Sequence, residues 1–220
     1  SKLFASKYEG KVAKLNSTAL FNAILELEKI DEKMDKILSY AHLLVAEDSD
    51  HENNKIFFQQ MQEKITNYSS LLIFFTLELN QIDQKKLSIF LKQNNKLIKY
   101  KTWIENRRSF KPYQLDKNLE KLLQDKSITS SGAWIRLFDE TISSLRFPYQ
   151  NKNLSSAEIL NYLSDNKSNV RKTAAKSIGK ILGQNVKIFS TITNTLAKDK
   201  SINDNWRKLP NPVSARNLSN

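Results

Sequence analysis

"STALFNAILELEKIDEKMDKILSYAHLLVA", Ser17 to Ala46, decides the fold class. Its apolar residues Leu20, Ile24, Leu27, Ile30, Met34, Ile37, Ala41 and Leu44 recur at steps of three and four, the signature of one face of a long α-helix. Ser17 or Thr18 is placed to cap it. The polar run "EDSDHENN" (Glu47 to Asn54) interrupts the pattern. Phe57, Met61, Ile65, Tyr68, Leu72, Phe75 and Leu79 then carry a second stripe. Two such helices joined by a short polar loop pack antiparallel, because each must bury its stripe.

Downstream the elements shorten. Helical segments are expected over 84–91, 96–108 and 115–126, the last two separated at Pro112. "SITSSGAWIRLFDETISSLRF" sets Trp134, Leu137, Phe138, Thr141 and Leu145 on one helical face. "SLRFPYQ" and "KNLSS" flank a turn at Asn151 and read as a β-hairpin near 145–155. Ser155 and Glu158 then form a capping box. A helix from about Ser168 turns Val170, Ala174, Ile178 and Ile181 inward, with a break at Gly183. Another carries Val186, Phe189, Thr193 and Leu196 to about Lys200. With only 4 Gly and 4 Pro to supply turns, the chain reads as an all-α, multi-helix domain of eight or nine helices over residues 1–220, with long antiparallel amphipathic helices and one small hairpin.

Both ends read as cut. "SKLFASKYEG" enters a helix already under way, and "NPVSARNLSN" (Asn211 to Asn220) opens one with Ser214 as its N-cap and then stops. A six-residue helix is too short to stand alone in water, where about a dozen residues are needed. The expectation is a chain truncated at both ends.

Composition removes several classes of function. Without cysteine, disulfides, thiolate catalysis and Cys-ligated zinc are excluded, and a cytoplasmic setting is expected. The most apolar run, "LLIFFTLEL" (Leu71 to Leu79), falls well short of the ~20 residues a membrane span requires and fits a buried helix. The formal charge of +12 is concentrated in two blocks, +7 over 81–126 and +8 over 164–220. Only seven of the 35 basic residues are Arg, so bidentate phosphate and base recognition is disfavoured, and with it nucleic acid as a partner.

No active site is visible. "HENNK" approaches His-Glu-x-x-His, but Lys55 stands where the second His belongs and would repel a metal, so a polar loop is expected there. Neither Gly-x-x-x-x-Gly-Lys-Ser/Thr nor Gly-x-Gly-x-x-Gly occurs. Asp139 and Glu140 project about 100° apart on a helix and read as a solvated edge. Arg107, Arg108 and Arg136 suit ion pairs or stem packing as well as an anion. Trp103, Trp134 and Trp206 suit core or interface anchors.

Several stretches taken together, in order, resemble a known family: "FASKYEGKVAKL", "SYAHLLVAEDSD", "LLIFFTLELNQI", "YKTWIENRRSFKPYQLDKNLEKLLQDKSITSSGAWIRLFDETISSLRFPYQ" and "NTLAKDKSINDNWRKLPNPVSARNLSN". They are similar to the amino-terminal part of the oligoendopeptidase F family, zinc metallopeptidases related to thimet oligopeptidase. The likeness is most specific over Lys126 to Phe147 and Thr195 to Asn220. It implies a helical channel-wall domain. It also implies a catalytic domain, absent here, whose His-Glu-x-x-His helix and further Glu bind Zn²⁺ and activate water. None of those residues exists in this chain, so no catalytic or metal role transfers to any position, and no cofactor is expected in it.

The leading expectation is the substrate-channel domain of a cytoplasmic zinc oligoendopeptidase that hydrolyses short peptides, inactive by itself. Its partners would be oligopeptides and the missing catalytic domain. Trp134, Arg136, Arg146, Trp206 and Arg216 are the candidate contacts with peptide or catalytic portion. The alternative is a standalone basic helical binding protein for nucleic acid or an acidic protein partner. A helical interaction scaffold is a third reading, and it shares with the fragment reading the expectation of an exposed apolar patch.

Overall fold

The computed structural model describes residues 1–48 and 51–219. Its elements are α1 (Lys2–Tyr8), α2 (Ser17–Glu47), α3 (Glu52–Ser70), α4 (Ile73–Leu79), α5 (Gln84–Gln93), α6 (Lys101–Ser109), α7 (Lys117–Lys126), α8 (Ser131–Ser144), β1 (Phe147–Tyr149), β2 (Lys152–Leu154), α9 (Ser156–Asn161), α10 (Ser168–Gln184), α11 (Val186–Arg207) and α12 (Ser214–Ser219). This is an all-α architecture with one two-stranded antiparallel hairpin.

The long stripe forms α2, 31 residues in length. Its cap is Asn16 rather than Ser17 or Thr18: the Asn16 backbone is still extended, and its Oδ1 accepts from the Ala19 N–H at 2.9 Å. α3 returns antiparallel. The Asn54 side-chain amide donates to the Leu44 carbonyl at 3.0 Å near the tip, and Ser69 lies against the Met34 sulfur at 3.9 Å lower down. The connection is shorter than expected, because His51 is already the N-cap of α3 and Glu52 is helical. Ser49 and Asp50 of the expected loop lie outside the described residues.

The second stripe is not one helix. It divides at Leu71 and Leu72, and α4 starts afresh at Ile73. Apolar groups at Leu72, Phe74, Phe75, Leu77 and Leu79 span more than one face, so a single straight helix would leave some in water; the turn buries all five. All of these but Leu77 join Phe4, Tyr8, Val12, Leu20, Ile24, Leu87, Leu97 and Ile104 in the main core. Glu78 fastens the chain entering that core, accepting from the N–H groups of Gly10 (2.7 Å) and Val12 (2.9 Å). Gly10 holds a φ of +77°, a conformation that disfavours any side chain.

A second core gathers Phe147, Tyr149, Leu154, Ile159 and Ala174, with Tyr162 stacked on Tyr149 at 4.5 Å. The hairpin turn places its positive φ on Gln150 and not on Asn151. The capping box forms as its spacing implies: Glu158 accepts from the Ser155 N–H at 2.7 Å, and Ser155 Oγ accepts from the Glu158 N–H at 3.3 Å. Gly183 does not break its helix. α10 runs through it to Gln184, and the interruption falls at Asn185.

α11 extends seven residues past Lys200, to Arg207, and packs against α8 and α10. Ile192 is its buried residue, whereas Val186 is 55% exposed. Phe189 meets Phe138 of α8 edge-on at 5.8 Å. The helix ends at Lys208, whose φ of 57° is left-handed. The Leu209 N–H reaches the Asp204 carbonyl at 3.0 Å and the Lys208 N–H the Asn205 carbonyl at 3.1 Å, the paired bonds of a Schellman ending. Ser214 opens α12 from inside it rather than as its cap. Its hydroxyl donates to Asn211 Oδ1 at 2.9 Å, and the same oxygen accepts from the Val213 N–H, so Asn211 organises the turn. Asn220 lies outside the described residues.

Candidate functional site

Among the described residues, three of the larger clefts open around α2. One, of about 670 Å³, lies where α2, α3 and α4 face α6, α7 and the end of α11. A second, of about 620 Å³, runs along the next face of α2 beneath Tyr100 and Trp103. The two share Asp31, Asp35 and Trp103, so they adjoin. A third, of about 670 Å³, separates the tip of the α2–α3 pair from α8.

The far side of the first cleft is held by an ion pair. Arg207 donates from Nη1 to Glu120 Oε1 at 2.7 Å and from Nη2 to Oε2 at 2.8 Å, and it reaches the Tyr113 carbonyl at 3.3 Å. Glu120 also accepts from the Leu115 N–H at 2.9 Å. Burial pushes the Glu120 carboxyl up, but the Arg207 fork and the Leu115 N–H outweigh it and hold the pKa below the usual 4.5. The same bond raises the Arg207 pKa.

Asp31 is different. Half-buried, it makes no hydrogen bond or ion pair with any other described residue. Burial raises its pKa above 3.8; Arg107 opposes this and Asp35, one turn on, adds to it. Arg107 itself sits 5.4 Å over the Trp103 ring. Asn80, 2% exposed, lines the first cleft. Its amide donates to Gln114 at 2.7 Å, while its Oδ1 is buried without a partner.

The residues singled out in the sequence do not converge. Arg136 lines the third cleft, where its Nη1 and Gln62 Oε1 are both buried without partners. Trp134 is half-buried on α8, and Arg146 donates to the Ser143 and Leu145 carbonyls. Trp206 is 62% exposed and Arg216 is exposed. Their immediate neighbours Arg207 and Ala215 are the ones that line the first cleft. Arg108 is structural, donating to the Leu79 and Ile82 carbonyls at 2.8 and 3.0 Å. Trp103 packs against the main core. Asp139 and Glu140 are exposed, at the rim of the third cleft.

His42 packs edge-on to Phe58 at 5.8 Å, and His51 serves as a helix cap. Among the described residues no group of three or more His, Asp or Glu is arranged to hold a metal ion.

Comparison with known proteins bears on the whole chain. A family model described as Oligopeptidase F matches residues 78–147. The Oligopeptidase PepF of Bacillus subtilis (strain 168) is 27% identical over 205 residues, covering 88% of this chain and 30% of the relative. The fold is similar to that of the oligoendopeptidase-F crystal structure from Enterococcus faecium. The TM-score is 0.82 at 18% identity, covering 96% of this chain and 42% of the other. The chain thus spans less than a third of the length of the curated relative it matches.

Proposed function

We propose, from the premise that this chain is the amino-terminal portion of an oligoendopeptidase F family member, that it forms the helical wall of a channel for short peptides and lacks hydrolytic activity alone. The observation that carries this reading is the pair of adjoining clefts on α2, about 670 and 620 Å³ in size, in a chain that resembles such peptidases along nearly its whole length. Spaces of that size accept an extended segment of a few residues and exclude a folded domain. The zinc ion that the family implies would, when bound elsewhere in the enzyme, supply Lewis-acid activation of water. This chain's residues bind and orient: Asp31, Asp35 and Trp103 line the groove, and Glu120 with Arg207 fixes its far side. Trp134, Arg136, Arg146, Trp206 and Arg216 serve in this proposal as contacts with peptide or with the catalytic portion. Cytoplasmic residence belongs to the same proposal; no helix among the described residues is long and apolar enough to cross a membrane.

The test is turnover of an internally quenched oligopeptide. The 220-residue chain alone is expected to give none, and the full-length enzyme chelator-sensitive cleavage. Chelator-sensitive cleavage by the chain alone overturns the proposal. Unchanged peptide kinetics in the full enzyme after Arg136→Ala or Arg216→Ala rejects contact roles for those two. The basic-binder alternative gains no support from the comparisons, and the linings of the two α2 clefts carry more acidic than basic residues.

A further inference from the structure

In a chain of net charge +12, the face of α2 that lines both adjoining clefts is acidic. Glu28, Asp31, Glu32 and Asp35 fall at helical spacing on one side. Two of them are occupied: Glu28 accepts from the Tyr100 hydroxyl, and Glu32 pairs with Lys36 at 2.6 Å. Asp31 and Asp35 are not. They stand one turn apart with no cation of the described residues within ion-pair distance, an arrangement that costs stability through like-charge repulsion and, for Asp31, through burial. A second observation points the same way. Asn80, 2% exposed, lines the cleft shared by these two carboxylates, and its Oδ1 has neither a protein partner nor exposure to water. Leaving such an acceptor unmet is unfavourable, so a donor is missing from this place. Trp103, common to both clefts, adds an aromatic face suited to a positive charge. Asn80 Oδ1 is an acceptor without a donor, and Asp31 and Asp35 are carboxylates without a paired cation, a combination that suits a cationic hydrogen-bond donor.

We propose that this groove binds a positively charged group of a peptide, an ammonium or guanidinium, between Asp31, Asp35 and Asn80 against Trp103. The inference rests on the channel reading above and gives its substrate a chemical class. Two sources present that chemistry: a Lys or Arg side chain, and a free amino terminus. Arg107, parked on Trp103 and facing Asp31, is the resident cation that an incoming one displaces or shares the site with.

The experiment is calorimetric titration of the 220-residue chain, in low-salt buffer at pH 7, with three pentapeptides of Ala background and amidated carboxyl ends. One is acetylated with a central Lys, one acetylated with norleucine in its place, and one carries norleucine with a free amino terminus. The Lys peptide is expected to bind about tenfold or more tightly than its neutral counterpart, the value of one charge-assisted hydrogen bond. Preference for the third peptide instead assigns the site to the amino terminus. Asp31→Asn, close in shape, removes the preference, and so does Asp35→Asn. Glu140→Gln, in the third cleft, keeps it, and circular dichroism shows all variants folded. Equal binding of charged and neutral peptides, no binding of any, or a preference that survives Asp31→Asn combined with Asp35→Asn overturns the proposal. Hydrolysis by the isolated chain would defeat the channel reading while leaving this binding result standing, so the two fail separately.

Discussion

Arg207, the last residue of α11, grips Glu120 of α7 through both nitrogens of its fork, at 2.7 and 2.8 Å, across 87 positions of sequence. With side chains only 23% and 16% exposed, the pair is sheltered enough for its geometry to matter. It fastens the far end of α11 onto α7, which borders the first cleft.

Breaking it leaves one partner uncompensated. Glu120→Ala is expected to destabilise the chain by about 2–3 kcal/mol, a charged hydrogen-bonded pair being worth that order. Arg207→Lys recovers little of a comparable loss, because an ammonium cannot form both bonds and reach the Tyr113 carbonyl as well. Urea unfolding midpoints measure both.

The same pair sets an acid limit. Since the folded state holds the Glu120 pKa below 4.5, its contribution is fully present above the unfolded value and is lost as pH falls through the folded one. The stability gap between wild type and Glu120→Gln should therefore be constant from pH 5 to 7 and close below about pH 4. A gap unchanged at pH 3 would place the pair's strength in packing rather than charge.

Asp31 runs the opposite way. Its folded pKa is raised, so ionisation works against the fold above the unfolded value, and protonation on acidification relieves it. Asp31→Asn is expected to stabilise the chain at pH 7 by about 0.5 kcal/mol, the size of a like-charge pair one helical turn apart. Thermal melting reads it. Gain in stability joined to loss of cation binding is the pattern of a residue kept for function.

Two glycines separate sterics from propensity. A Cβ on Gly132 would stand 2.8 Å from the Ser127 carbonyl oxygen, a backbone atom with little room to move, so Gly132→Ala should cost about 1–3 kcal/mol. Gly179, inside α10, meets nothing within 4 Å, and Gly179→Ala should gain up to about 1 kcal/mol. Denaturation curves for the two variants should shift in opposite directions.

Ile159 is fully buried in the second core. Ile159→Ala is expected to cost about 2–4 kcal/mol. Because the main core is built from other residues, hydrogen exchange should accelerate in α9 and α10 more than in α4.

What could be read in the chain before its structure follows from range. α2 was legible because eight apolar positions keep one period, and the Ser155–Glu158 box because its bonds span three residues. The division of the second stripe at Leu71 was not, since period alone cannot say that Leu72, Phe74 and Leu79 are each needed in one core. Gly183 misled because a helix tolerates one glycine near its end. The Arg207–Glu120 contact was beyond reach, as no local pattern joins residues 87 apart. Sequence pointed to the right segment at Trp206 and Arg216, but the residues lining the cleft are the adjacent Arg207 and Ala215, which a 100° rotation per residue separates from them. The acids at 28, 31, 32 and 35 had a visible spacing; what the sequence hid was that only two of them lack partners.

α11 starts one residue after the interruption at Asn185 and has 22 residues, so at 1.5 Å each it is a lever about 33 Å long. A pivot of ten degrees about Asn185 would carry its far end through about 6 Å, more than the width of one side-chain layer. The Glu120 clasp at that far end thus works at the greatest mechanical advantage available, and a flexure at Asn185 would reach the first cleft only if that clasp were loosened.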